Sequence, residues 1–203
     1  MTSDTVDSAH VIRGVSESLR ALLRAQISEL SAEDAIVFDS PADIDNQGEN
    51  RLSLYLYQIE TNPYLRNLPP ELDLNNVGDP APSSVEKIYP PYTVDLVYLI
   101  VPYAKTTELE LVIADKLVRV LYDFSQLPER YLHPVLKETN NKKIEIVPDT
   151  CSIDTLRHIW SGFPNKAYKL TKIYSLSPVR IPSARSEDVD MVASNKLVIE
   201  EMS

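Results

Sequence analysis

Across residues 92–125 the hydrophobic positions first alternate and then repeat with a helical period, and the rest of the chain is read around that unit. In Thr93-Val94-Asp95-Leu96-Val97-Tyr98-Leu99-Ile100-Val101, one face carries Val94, Leu96, Tyr98 and Ile100. The other carries Thr93, Asp95, Val97 and Leu99, and becomes apolar toward its end. Side chains alternate across a strand, so this predicts a strand wet on one side at its start and covered further on. Pro102 brings no ladder donor and is expected to end it. Thr107-x-x-Glu110 has capping-box spacing. Leu111, Ala114, Leu117, Val118, Leu121 and Tyr122 then recur with the period of a helix, while Asp115, Lys116 and Arg119 fall between them and face water. Each such apolar side chain is worth about 1.5–3 kcal/mol when fully buried, which makes this unit the expected core centre.

Before it, Ser8 is placed to cap a helix running to Leu30. Ile12, Val15, Leu19, Leu22, Leu23, Ile27 and Leu30 lie on one side, and Arg13, Glu17, Arg20 and Arg24 on the other. Gly14 weakens the first turns by about 1 kcal/mol relative to Ala. A short strand at 35–38 and an acidic loop at 39–50 lead to a second strand, Arg51–Thr61. There Leu52, Leu54 and Leu56 face one way, and Ser53, Tyr55, Tyr57 and Ile59 the other. Residues 62–91 read as a connection rich in Pro, Asn, Asp and Ser. It is long for a compact domain and so a candidate for function or partner contact.

After the central unit, a Pro-containing loop (126–141) precedes a short strand at Ile144, Ile146 and Val147. Residues 152–161 predict a helix with Ile153, Leu156, Ile159 and Trp160 apolar, and Trp160 reads as a core anchor. The last strong strand, 167–181, is interrupted near Pro178 and shows Tyr168, Leu170, Tyr174 and Leu176 on one face. Beyond it the chain is polar except for Lys196-Leu197-Val198-Ile199-Glu200, an edge strand or extended arm.

Composition narrows the classes. With 203 residues and 43% hydrophobic content the chain can bury a substantial core as one domain, two small ones being the alternative. No apolar run approaches the roughly 20 residues that span a bilayer, and MTSDTVDSAH has neither the basic nor the apolar region of a signal peptide. Cys151 is the one cysteine, which excludes an internal disulfide and suits a reducing compartment. Fifteen prolines against four glycines favour stiff connectors over mobile lids.

The net charge of −10 is unevenly spread. No basic residue lies between Arg24 and Arg51, a stretch holding Glu29, Glu33, Asp34, Asp39, Asp43, Asp45 and Glu49. From Arg130 to Arg185 ten Lys and Arg residues outnumber the acids Glu138, Glu145, Asp149 and Asp154. Solvated faces are one reading. The sharper one is two complementary patches that meet between neighbouring copies, Asp39, Asp43, Asp45 and Glu49 against Lys142, Lys143, Lys166 and Lys169. Lys196, Leu197, Val198 and Ile199 are the candidate arm contact. The acidic total argues against general nucleic-acid binding.

Catalytic signatures are not found. Gly14, Gly48, Gly78 and Gly162 cannot make a phosphate loop, and the Gly-x-Ser-x-Gly elbow is missing. Asp43-Ile44-Asp45-Asn46-Gln47-Gly48 resembles the start of a calcium loop, but Leu54 stands where the closing carboxylate is needed. A turn with Gly48 at positive φ explains it better. Cys151 and His158 read as a small apolar filler and a helix-surface residue, and His10 and His133 have no nearby ligand set. No catalytic, cofactor-binding or metal residue is assigned.

Several strings together are familiar. Ser16-Glu17-Ser18-Leu19-Arg20-Ala21-Leu22-Leu23 in the first helix is one, and Leu54-Tyr55-Leu56-Tyr57 with Asn62 and Leu65-Arg66-Asn67 is another. Pro90-Pro91-Tyr92 leads into Asp95-Leu96-Val97-Tyr98-Leu99-Ile100, and the late segments 156–161 and 168–181 follow in order. Over residues 8–183 the chain resembles the tail-terminator or cap proteins of phage-tail-like contractile injection systems, the antifeeding-prophage and virulence-cassette particles. The resemblance implies a single α+β domain at 8–183, a mixed sheet with two longer helices packed against it. A flexible N-terminus (1–7) precedes it and a C-terminal tail or arm (184–203) follows. It implies a non-enzymatic protein without cofactors that forms a homo-hexameric ring and ends polymerisation of tube and sheath. Its partners would be itself, the sheath and inner-tube proteins and a second cap protein, with no nucleic acid and no membrane insertion. Assembly would take place in the bacterial cytoplasm, on a particle released outside the cell. The rivals are an adaptor joining the tube-sheath end to another cap or membrane-associated component, and a small enzyme.

Overall fold

The computed structural model describes residues 10–44, 48–72 and 84–190. In chain order these form α1 (Val11–Gln26), β1 (Ile36–Val37), β2 (Arg51–Thr61), β3 (Glu71–Leu72), β4 (Ser84–Ile88) and β5 (Tyr92–Tyr103). Then follow α2 (Thr107–Asp123), α3 (Pro134–Glu138), β6 (Glu145–Pro148), α4 (Ile153–Ser161), β7 (Lys172–Ile181) and β8 (Ser186–Asp190). Five strands make a mixed sheet in the order β1-β2-β5-β7-β6, with β1 and β2 parallel and the other pairs antiparallel. A smaller antiparallel sheet has the order β3-β4-β8. The α+β class and the two longer helices against a mixed sheet are as expected.

The alternation in β5 sets the layers. Val94, Leu96, Tyr98 and Ile100 join the core built with α1, α2 and α3, where Leu19, Leu22, Leu23, Ile113, Leu117 and Leu136 are buried. Val97, Leu99, Val101 and Tyr103 join a second core with Ile159 and Trp160 of α4. Trp160 is 6% exposed and its Nε1 donates to Thr171 Oγ1 at 3.0 Å, which satisfies its polar end as the anchor reading requires. β2 begins and ends at the predicted residues.

Several expectations change. The first helix starts at Val11 with His10 at its N-cap, the expected cap Ser8 lies outside the described residues, and Ser28–Leu30 forms a separate 3-10 turn. β5 runs through Pro102 to Tyr103. Leu52 gives its N–H to Ala35 O, so its pair with Pro102 is one without ladder bonds. The proline nitrogen then points toward β7, whose pairing stops at Ile100, and no bond is lost. The N-cap of α2 is Thr106, which accepts from Leu109 N, while Glu110 reaches back to Ala104 N at 3.3 Å. The helix buries Ile113, Leu117, Val120 and Leu121, and leaves Leu111, Val118 and Tyr122 exposed.

β7 starts at Lys172, so Tyr168 and Leu170 precede it and are exposed. The interruption near Pro178 is present: the β5–β7 register shifts between Val94 and Leu96, and the Ser177–Pro178 peptide is cis. Asp95 at that shift accepts from Ser177 Oγ and from Asn62 Nδ2 at 3.0 Å, while Asn62 Oδ1 accepts from the N–H groups of Tyr64 and Leu65. The long connection holds β3 and β4, and β8 pairs with β4 from Ser186↔Ile88 to Asp190↔Ser84. The expected tail from 184 therefore begins with a strand.

Candidate assembly surfaces

Two of the acidic residues flank β1, at one edge of the five-stranded sheet, and the segment after it crosses the second face, where Ile44 joins Leu99 and Trp160 in the core. Asp34 precedes this strand and Asp39 follows it, and Ser53 Oγ of β2 holds the Asp39 carbonyl at 2.8 Å. Asp43 N–H donates to Ser40 O at 2.9 Å, and Gly48 takes φ of 87°, the turn geometry anticipated for glycine. Asp39, Asp43 and Glu49 are exposed, and Asp45 lies outside the described residues. Two acids are occupied within the chain: Glu49 pairs with Arg51 at 2.8 Å and Glu29 with Lys116 at 2.5 Å. The hydrogen bond from Lys116 is the main reason that the Glu29 carboxyl is held below its ordinary range.

The basic residues divide into two groups. Lys166 Nζ donates to Ile44 O at 3.0 Å, so it lies against the acidic loop of its own chain. Lys169 pairs with Glu110 and stands 5.0 Å from the centre of the Tyr103 ring. Burial, and then the Glu110 carboxylate, push the Tyr103 phenol up to about 12. Lys142 and Lys143 are exposed on the segment entering β6, at the opposite edge of the sheet. With Arg130 they line an open cleft of about 710 Å³ at the C-terminal end of α2, together with Phe124 and Pro128. Arg130 also stacks over Tyr131, 4.9 Å from the ring centre. Sequence distance hid this division, because Lys166 and Lys169 fold back beside acids far from them in the chain. Lys196, Leu197, Val198 and Ile199 lie outside the described residues.

Apolar side chains that the fold leaves in water add to these surfaces. Tyr57 and Ile59 stand on the second half of β2, Tyr122 on the last turn of α2, Val147 on β6, and Leu72, Ile88 and Val189 on the small sheet. The alternation expected along β2 breaks at Tyr57, where the register with β5 shifts: Ile59 pairs with Leu96 and so shares the face of Leu54 and Leu56 instead of that of Ser53 and Tyr55. On α2 the expected core positions Leu111, Val118 and Tyr122 are in water. Cys151 is half-buried beside α4, and His158 Nδ1 bonds the carbonyl of Asp154, one turn back, at 2.8 Å. Among the described residues, no three His, Cys, Asp or Glu side chains converge as a metal site requires, and no helix is long and apolar enough to cross a membrane.

The family model described as the Pvc16 N-terminal domain matches residues 14–195. Among solved structures, the chain is similar to the PVC sheath/tube terminator in its extended state, part of an extracellular contractile injection system. Identity is 20% and the TM-score 0.69, over 95% of this chain and 64% of that one. It is also similar to the tube terminating cap of the anti-feeding prophage, at 17% identity and a TM-score of 0.63, over 91% of this chain and 60% of that one. The chain thus spans less than two thirds of the length of either protein. No curated protein matches the sequence. The structural likeness establishes a shared fold, and the family match covers nearly the whole sequence: the chain belongs to the Pvc16 N-terminal domain family.

Proposed function

We propose that this chain is a structural terminator of a contractile injection particle, a non-enzymatic protein that closes into a ring on the end of tube and sheath and stops their growth. The observation that carries this reading is the fold shared over 95% of the chain with a sheath/tube terminator. A homo-hexamer is the proposed ring, with sheath and inner-tube proteins below it and a second cap protein as a further partner. Assembly takes place in the bacterial cytoplasm, on a particle that is then released. Physically, a terminator must match the last layer on one side and present nothing that another layer can extend. A closed ring meets this when each subunit joins the next through two different patches. The test is to remove the chain from a particle-producing strain and measure particle lengths by electron microscopy. Over-long or unfinished particles, restored to normal length by the returned chain, are expected. An unchanged length distribution would overturn the reading.

A further inference from the structure

We infer that the cleft of Arg130, Lys142 and Lys143 on one copy receives the segment of Asp39 and Asp43 on the next, as the two halves of one head-to-tail joint. This rests on the proposed ring and names the surfaces that close it. The first support is position. The sheet order β1-β2-β5-β7-β6 puts Asp39, two residues after β1, at one edge and the basic cleft beside β6 at the other. From Asp39 the acidic segment turns over the second face of the sheet, where Pro41 O accepts from Tyr103 Oη and Ile44 is buried. Four strand spacings of about 4.8 Å separate these edges by roughly 19 Å. Complementary surfaces on opposite sides of a subunit generate rings or filaments, whereas a two-fold pair uses one patch twice.

The second support is charge left without an ion pair. Among the described residues, Arg130, Lys142, Lys143, Asp39 and Asp43 make no salt bridge, while Lys166, Lys169, Glu29 and Glu49 are engaged within the chain. Asp123 and Glu129 also line the cleft, so three cations against two carboxylates leave it positive by one. Charge of that size orients a joint, and apolar contact must hold it. Both edges supply such contact. Tyr122 is 83% exposed beside the cleft and Val147 is 43% exposed on β6. At the other edge Tyr57 is 41% and Ile59 50% exposed on β2. Backbone pairing agrees with this division. Residues 125–127 close the outer edge of β6 through Ile146 N–H to Ser125 O and Leu127 N–H to Ile144 O. β1 covers β2 only at Leu52 and Ser53, which leaves the rest of that edge open among the described residues.

Charge reversal gives a test with a distinctive outcome. Lys142→Glu with Lys143→Glu in one preparation, and Asp39→Lys with Asp43→Lys in another, each place like charges across the joint. Either alone should need roughly tenfold more protein to assemble in analytical ultracentrifugation at low salt. An equimolar mixture should recover assembly, because both kinds of joint are again complementary, and the assemblies should contain the two variants in equal amounts. Variants that assemble as the parent does, or a mixture that stays apart, would overturn the inference.

A second arm covers a parent chain that assembles only on particles. Asp43→Cys and Lys143→Cys, in a Cys151→Ser background, are oxidised on assembled particles. A ladder of disulfide-linked subunits is expected. Particles of normal length that yield no ladder would sink this joint and leave the terminator reading standing. A ladder on particles whose length does not depend on the chain would do the reverse.

Discussion

Tyr98 of β5 and Ser16 of α1 share a buried hydrogen bond, 2.8 Å between Oη and Oγ. Ser16 Oγ also donates to the carbonyl of Ile12, one turn back, at 3.1 Å. A serine hydroxyl has one proton, so the phenol is the donor between the two side chains. Tyr98→Phe removes that donor and leaves Ser16 bonded, at an expected cost of about 1 kcal/mol or less. Ser16→Ala strands a buried phenol and should cost about 1–3 kcal/mol. Denaturant unfolding of the two variants checks the order. Equal losses would mean that the phenol has another partner.

The same burial sets an alkaline limit. Loss of water around Tyr98 and Tyr174 pushes their phenols above the ordinary value, and Tyr103 rises to about 12. A folded-state value above the unfolded one contributes stability that is complete below pH about 10. It is lost as pH climbs from there through the folded values, because only the unfolded chain can ionise these phenols. Unfolding midpoints measured across that window should fall, and Tyr98→Phe should make the fall shallower. A profile identical to the parent's would remove Tyr98 from the account.

Gly14 places α1 against α3. A Cβ built there would lie 2.6 Å from Val135 Cγ1, closer than packed atoms tolerate, and in ordinary contact with Leu136 at 3.5 Å. Gly14→Ala would gain about 1 kcal/mol of helix propensity. Overpacking of a stiff β-branched neighbour costs about 1–3 kcal/mol. The net expectation is destabilisation by about 1 kcal/mol. Val135→Ala opens the space, so the double variant should be more stable than the two single losses added together. Strict additivity in thermal unfolding would show that α3 simply moves aside.

The elements that were legible have a pattern only one packing satisfies. β5 alternates between two apolar faces and supplies two cores, and β2 is bounded by polar turns at both ends. α2 was legible as a helix but not in its rotation. It carries apolar residues nearly all round, so stripes through Leu111, Val118 and Tyr122 or through Ile113, Leu117 and Val120 fit equally well. The folded helix buries the second. β4 and β8 were not legible, since their sequences SVEKI and SEDVD are mostly polar and their pairing joins segments about a hundred residues apart. Of the candidate surfaces, the opposed signs were readable along the chain. The distance between Asp39, after β1, and Lys142 and Lys143, before β6, comes from strand order, which no local pattern encodes.

That long-range pairing decides what removal of the C-terminal segment should do. β8 forms five pairs with β4, and its Glu187 accepts from Tyr89 Oη at 2.6 Å, with Lys87 Nζ at 3.6 Å. The Tyr89 hydrogen bond first, and Lys87 second, hold the Glu187 carboxyl below its ordinary range, so this contact is intact above the ordinary carboxylate pKa and weakens as pH falls through the depressed value. Deletion of 186–203 would leave β4 with only the two-residue β3, and an isolated hairpin of that size is marginal in water. Amide exchange at Val85, Lys87 and Ile88 should then quicken, while the melting temperature stays within a few degrees, because the five-stranded sheet does not pair with β4. Deletion of 191–203 spares every β8 pair and should keep the slow exchange. If both deletions quicken exchange equally, residues beyond Asp190 hold the small sheet in place. If removal of 186–203 instead lowers the melting temperature by ten degrees or more (roughly the loss of several kcal/mol), the small sheet is part of the folding unit and not an attachment to it.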